Sequence, residues 1–109
     1  MIGAFVSTRL HEIEAEIRYL TTEEGGRSNG VFRGYRGQFY YGRIDYDGFQ
    51  FFPDVPDDEI VELGTTVRAV VRFPQERWDE VHSKSITVGM PFEIREGSRT
   101  VGRGVVTKL

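Results

Sequence analysis

The sequence predicts a small all-β domain, a barrel or a sandwich, and three observations support this. About six short extended segments are separated by turn residues such as glycine, proline and aspartate. No segment has the periodicity of a long amphipathic helix. At 109 residues the chain has the size of one domain, which can bury a core without the disulfides that a chain with no cysteine cannot form.

The first predicted strand spans residues 12–20, where apolar and charged side chains alternate with the period of a half-buried strand. Residues 1–11 show no such period and are predicted to form a leader before a single domain at residues 12–109. A polar, glycine-rich loop is expected at residues 21–30.

Two further extended segments are predicted at residues 36–45 and 48–52. Asp47-Gly48 lies between them and has the composition of a hairpin turn. Pro53 should end the second segment, because proline donates no hydrogen bond to a neighbouring strand.

The clearest core strand is predicted at residues 65–73, where apolar residues recur at every second position. A long connection is expected at residues 74–89. Within it, residues 77–84 have the pattern of a helical turn with Trp78 and Val81 on one side.

The last predicted element is a hairpin that closes the chain. Phe92 and Ile94 alternate with charged residues, and β-branched residues follow at 100–106. Between them, Gly97 can adopt a positive φ without steric cost, so residues 96–98 are predicted to form the turn.

Three blocks of this sequence resemble the third, C-terminal domain of translation elongation factor Tu. The longest are residues 95–106 and the pair of segments 24–27 and 32–40, and a weaker one is residues 14–17. Their order and spacing extend the resemblance over residues 11–109. It implies a six-stranded antiparallel, Greek-key-like β-barrel with no catalytic role and no GTP.

The resemblance also implies an RNA-binding site, because this domain of the family grips the T-arm of aminoacyl-tRNA. Arg27 matches an arginine that contacts phosphate, and Gln38 matches a glutamine that contacts the RNA backbone. Glu96 and Gly97 match a turn that reaches the minor groove of the stem, where 2′-hydroxyl groups can be recognised.

Some positions depart from the family pattern. Asp47 stands where the family has a threonine that contacts RNA, and Ser28 replaces a histidine beside the contacting arginine. Glu93 replaces a small apolar residue on the face that meets the GTPase domain. These changes oppose the RNA contact and the docking of a GTPase domain.

The motifs of common enzymes are absent from the sequence. Val31 and Phe32 occupy the Lys and Ser/Thr positions of the one segment with phosphate-loop spacing, and no serine lies in a nucleophile elbow. His11 and His82 are expected to be surface residues rather than metal ligands. The sequence therefore predicts no enzyme, no cofactor and no metal.

No apolar run is long enough to span a bilayer, and a cytoplasmic location is expected.

The charge balance gives two interpretations of the basic residues. The formal net charge of −3 argues against a general nucleic-acid binder. Of 14 basic residues only Lys84 and Lys108 are lysines, and most of the arginines lie in or beside the two long blocks. They are either ordinary solvated edges of mixed charge, the more common case, or an arginine face for an anionic partner.

Our leading hypothesis from the sequence is a free-standing binding module with a protein partner, in which the 74–89 connection is a new recognition element and an exposed Trp78 its anchor. The candidate partner-binding residues are Arg33, Arg36, Trp78, Arg99 and Arg103. The alternative is binding of tRNA or another structured RNA through Arg27, Gln38 and Glu96. Each of these residues also has a structural interpretation. Arg27 could brace the glycine-rich loop, Gln38 could satisfy backbone groups at the start of a strand, and Glu96 could pair with Arg99.

Overall fold

The computed structural model describes residues 9–109 and contains one antiparallel sheet of seven strands. The strands are β1 (Leu10–Tyr19), β2 (Gln38–Tyr41), β3 (Ile44–Tyr46), β4 (Phe49–Phe51), β5 (Thr66–Pro74), β6 (Pro91–Glu96) and β7 (Arg99–Lys108). The predicted all-β barrel class is confirmed, with seven strands in place of six. β1 begins at Leu10, two residues before its predicted start, and residues 1–8 of the predicted leader lie outside the described residues.

The sheet has the strand order β3-β2-β6-β7-β1-β5-β4. Its two edge strands, β3 and β4, are nevertheless consecutive in the chain and separated only by Asp47 and Gly48. Two residues span only about 7 Å, so the sheet must curl until its edges meet. Gly48 is buried at this junction, where an added Cβ would lie 3.2 Å from Phe39 Cβ and from Val71 Cγ1.

The Asp47-Gly48 hairpin prediction is wrong, because β3 pairs with β2 and β4 pairs with β5. The hairpin turn lies instead at Gly42-Arg43, inside the segment that was expected to run unbroken from 36 to 45. Gly42 and Arg43 have φ angles of 58° and 67°. A positive φ at both central residues suits the right-handed twist of a two-residue hairpin. The sequence signal for this turn was weak because arginine rarely adopts a positive φ.

The core lies inside the curled sheet and follows the predicted alternation. On β1 and β5 the buried residues include Ile13, Ile17, Val71 and Phe73. The polar side chain of Gln50 is fully buried among them: it accepts a hydrogen bond from Tyr19 Oη at 2.7 Å and donates to the Gly37 carbonyl at 2.9 Å. These bonds satisfy a side chain that would otherwise be costly to bury.

The closing hairpin of β6 and β7 is confirmed, with Gly97 at a φ of 60° in its turn. A helix, α1 (Gln75–Glu80), and a short 3₁₀ helix (His82–Lys84) follow β5 and cover one end of the barrel. They account for the predicted helical turn at 77–84. Among the described residues no helix is long and apolar enough to cross a membrane.

Candidate binding surfaces

The first candidate surface is built around Glu96, at the end of β6. The loop after β1 brings Arg27 to it, and Arg27 Nη1 donates a hydrogen bond to Glu96 Oε2. Tyr35 Oη donates to the same oxygen, and the Arg27 guanidinium lies 4.8 Å from the centre of the Tyr35 ring. Arg27 Nε also donates to the Asn29 carbonyl at 3.2 Å, so the residue braces its own loop. We call Arg27, Tyr35 and Glu96 the Glu96 cluster.

The electrostatics of the Glu96 cluster favour its charged, hydrogen-bonded form. Partial burial opposes ionisation of Glu96, but hydrogen bonds from Tyr35 and Arg27 outweigh it and hold the pKa of the carboxyl below its ordinary value. Burial and then the bond to Glu96 raise the pKa of Tyr35 well above the ordinary range of a phenol. The cluster is therefore a set of matched donors and acceptors at neutral pH.

A groove of about 550 Å³ adjoins the Glu96 cluster, and its walls include Tyr35, Gln38, Glu96 and Gly97. Gln38 reaches it because it pairs with Arg95 in the register of β2 and β6. The structure thus places Gln38, Glu96 and Gly97 on the walls of one groove, with Arg27 beside it through its bond to Glu96. Arg27 already binds a carboxylate, so a phosphate there would have to compete with Glu96.

The other candidate arginines do not form one face. Arg33 lies 3.3 Å from Asp57 and 5.6 Å from the Phe51 ring centre, while Arg36 lies over Phe49. Arg99 follows the turn between β6 and β7, where its guanidinium is 3.4 Å from Glu96 Oε1. Each of these three contacts a carboxylate or a ring, which fits the interpretation as edges of mixed charge better than a continuous arginine face.

The prediction of an exposed Trp78 is wrong, since the residue is only 8% exposed. Its ring stacks on His11 with centroids 3.8 Å apart and lies 6.1 Å from Phe73. An aromatic residue on a six-residue helix gains more by covering the open end of the barrel than by facing water. Trp78 therefore belongs to the core and offers no anchor to a partner.

The prediction that both histidines are surface residues is also wrong. His82 is fully buried, its Nδ1 is 2.6 Å from Tyr41 Oη, and its ring lies 4.5 Å from the Phe73 ring. Burial, and then the charge of Arg77, lower the pKa of His82 to about 4. His11 is half-buried, and burial lowers its pKa despite the nearby Asp79 and Glu12. Within residues 9–109 no group of three potential ligands could hold a metal ion.

A second surface, which the sequence did not reveal, lies on the outside of the sheet. It is a groove of about 580 Å³ that we call the outer-face groove, and its walls include Glu16, Arg18, Tyr40, Pro91, Glu93, Arg103 and Val105. These residues come from strands β1, β2, β6 and β7. Alternation marks their side chains as outward-facing, but the concavity depends on how the sheet curls, which no local pattern encodes.

The floor of the outer-face groove is formed by Phe92 and Gly104, which face each other in the register of β6 and β7. An added Cβ on Gly104 would lie 2.4 Å from Phe92 Cζ and 2.8 Å from the Glu16 carbonyl oxygen. Only glycine therefore lets these three strands approach so closely. Pro91 and Val105 are exposed beside this floor, Val105 at 43%.

A comparison with known protein families bears directly on this fold. A family model described as the elongation factor Tu C-terminal domain matches residues 7–109. The chain belongs to this family. The resemblance inferred from its three sequence blocks is thereby confirmed, and the match covers every residue that the structure describes. The domain is of the translation-factor type, and within elongation factor Tu it is a non-catalytic domain, since the GTPase is the first domain.

Proposed function

We propose that this elongation factor Tu C-terminal-type domain is a non-catalytic module that acts in the cytoplasm without nucleotide and binds a protein partner at the outer-face groove. The observation that carries the proposal is the groove itself, with an apolar floor, exposed Pro91 and Val105, and charges at its rim. An apolar centre with a polar rim is the usual anatomy of a protein–protein interface.

The charges of the groove support a protein rather than a nucleic acid. Its rim contains two acidic residues, Glu16 and Glu93, and two basic residues, Arg18 and Arg103, so it has no positive excess. A surface that binds phosphates needs such an excess, because neutralisation of the backbone supplies most of the affinity. The net charge of −3 points the same way. A role connected with translation follows from the family and is part of the proposal.

The test is capture from an extract of the source cells, with and without nuclease and high salt. We expect a protein that survives both treatments, that is lost with Val105→Asp, and that is retained with the control Ile60→Asp. Ile60 is 39% exposed, close to the 43% of Val105, but lies outside the groove. Material that disappears after nuclease treatment, or that Val105→Asp leaves unchanged, would refute a protein partner at this groove.

A second candidate function is the binding of tRNA or another structured RNA at the Glu96 cluster. It is favoured by one observation: Gln38, Glu96 and Gly97 line one groove, and Arg27 is bonded to the Glu96 carboxylate at its wall. This function predicts that Arg27→Ala weakens tRNA binding and lowers the salt dependence of the affinity by about one charge, as the loss of one phosphate contact does. If Arg27→Ala left both the affinity for tRNA and its salt dependence unchanged, RNA binding at the Glu96 cluster would be refuted.

A further inference from the structure

Two charged side chains of the outer-face groove have no partner within the described chain. Among residues 9–109, neither Arg103 nor Glu16 forms a side-chain hydrogen bond or an ion pair. The other two charges are engaged: Arg18 contacts Glu24 at 3.0 Å, and Glu93 accepts a hydrogen bond from Thr100 Oγ1 at 2.5 Å. The groove therefore presents one unpaired cation and one unpaired anion.

The positions of these two charges follow from the strand register. Arg103 of β7 lies opposite Arg18 of β1. Two residues away in the same direction, Val105 of β7 lies opposite Glu16 of β1. The unpaired cation and anion are thus on neighbouring strands and separated along them by two residues, and exposed Val105 lies directly beside Glu16. Pro91 lies opposite Val105 on the other side and extends the apolar centre.

Such a patch is its own complement. In a two-fold symmetric interface the same surface is used on both copies, so each residue that contacts a second one is contacted by it in return. A rotation axis near Val105 would bring the cation of each copy to the anion of the other and pack the two apolar centres together. A foreign partner would need the opposite arrangement of both charges, whereas a second copy supplies it automatically.

We propose that the partner in the outer-face groove is a second copy of this chain, in a two-fold symmetric dimer in which Arg103 of each copy pairs with Glu16 of the other. This inference rests on the proposed function, because it names the partner for the same groove. The apolar contact of Val105 and Pro91 supplies affinity, and the two ion pairs fix the orientation.

The experiment measures the dissociation constant of the dimer by sedimentation over a range of concentrations. Arg103→Glu alone places two acids at each contact, and Glu16→Arg alone places two bases there, so each should weaken the dimer by about tenfold or more. A mixture of the two single variants should form a heterodimer with both pairs restored. The double variant in one chain should recover the dimer of the original protein. The control Asp58→Arg, a charge reversal at an exposed position outside the groove, should dimerise normally.

Each outcome decides the proposal. Recovery in the mixture and in the double variant supports the Arg103–Glu16 pairing, and thermal melting of each variant confirms that it is folded. A dimer that the mixture does not restore would overturn this geometry. A chain that stays monomeric at every concentration would overturn the dimer. If Val105→Asp then still abolished capture of another protein from extract, the groove would remain a protein-binding site with a different partner.

Discussion

At the scale of single residues, two arginines that look alike in the sequence make different contacts with the carboxylate of Glu96. Arg27 and Arg99 both contact it, but Arg27 is 28% exposed and shares the carboxylate oxygen with Tyr35, whereas Arg99 is 56% exposed. The Glu96–Arg99 pair was foreseen as an alternative, and Arg27 was foreseen as a brace of its own loop. The pairing of Arg27 with Glu96 was not foreseen, because the sequence does not show which loop folds back on which turn.

The two arginines should differ in their contribution to stability. Arg27→Ala is expected to lower the free energy of unfolding by about 1.5 kcal/mol, since it removes charge-assisted hydrogen bonds from a half-buried carboxylate. Arg99→Ala should change it by less than about 0.5 kcal/mol, as exposed ion pairs do. Urea denaturation of both variants measures the difference, and equal losses would mean that Arg27 does not brace this loop.

His82 should make the fold sensitive to mild acid. Its pKa is about 4 in the folded state against an ordinary 6.5, so protonation favours the unfolded chain. The contribution of His82 to the free energy of unfolding is complete above pH 6.5 and is lost as the pH falls to about 4. The free energy of unfolding then falls by about 1.4 kcal/mol per pH unit and by about 3 kcal/mol in total.

Nuclear magnetic resonance titration of the two imidazole rings checks this directly, with His11→Gln to assign the signals. Unfolding measured between pH 7 and pH 4 should show the loss in the original protein and a flatter profile in His82→Phe. A His82 ring that titrates near 6.5 would contradict its burial.

At the scale of elements, the strands that could be predicted are those with one buried face. In β1, β5 and the closing hairpin, alternation follows from burial of every second side chain. The strand predicted at 48–52 is present as β4, but its pairing partner was misjudged. The short β3 was merged with β2 into one segment, because three residues carry too little pattern and the turn between them uses an arginine at positive φ. The pairing of each with a different neighbour is a tertiary property.

The approach of β1, β6 and β7 depends on Gly104. Gly104→Ala should destabilise the domain by about 2 kcal/mol or more, because the added Cβ meets the Phe92 ring and a backbone oxygen. Gly102→Ala is the matched control on the same strand, with its nearest contact at 3.1 Å, and should cost less. Thermal unfolding of both variants tests this, and an equal effect would argue against a tight floor in the outer-face groove.

The helix α1 should act as a lid of the core rather than as a docking element. Trp78→Ala is expected to lower the free energy of unfolding by about 3 kcal/mol, the usual cost of truncating a large buried aromatic side chain. Trp78 is the only tryptophan, so its fluorescence reports its surroundings without ambiguity. We expect blue-shifted emission in the folded state. Emission typical of a tryptophan in water would restore the exposed anchor that the sequence suggested.

At the scale of the whole molecule, the curl of the sheet creates what the sequence could not show. The fold class could be predicted from the alternation of apolar residues and from the family resemblance. The resemblance also grouped Arg27, Gln38 and Glu96. The outer-face groove could not be predicted, because its residues are spread over 90 positions, from Glu16 to Val105, and only the twist and closure of the sheet make them one concave surface.

The domain is proposed to bind its partner through the outer-face groove and not through the Glu96 cluster. Site-specific photo-crosslinking tests this proposal most directly, with a benzophenone side chain placed in cells either at Val105, in the groove, or at Arg99, beside the cluster. Both positions are exposed, so the probe can reach a partner from either. We expect crosslinks to protein from position 105, whether to a second copy or to another chain, and none from position 99. Crosslinks to RNA from position 99, with position 105 silent, would contradict this proposal.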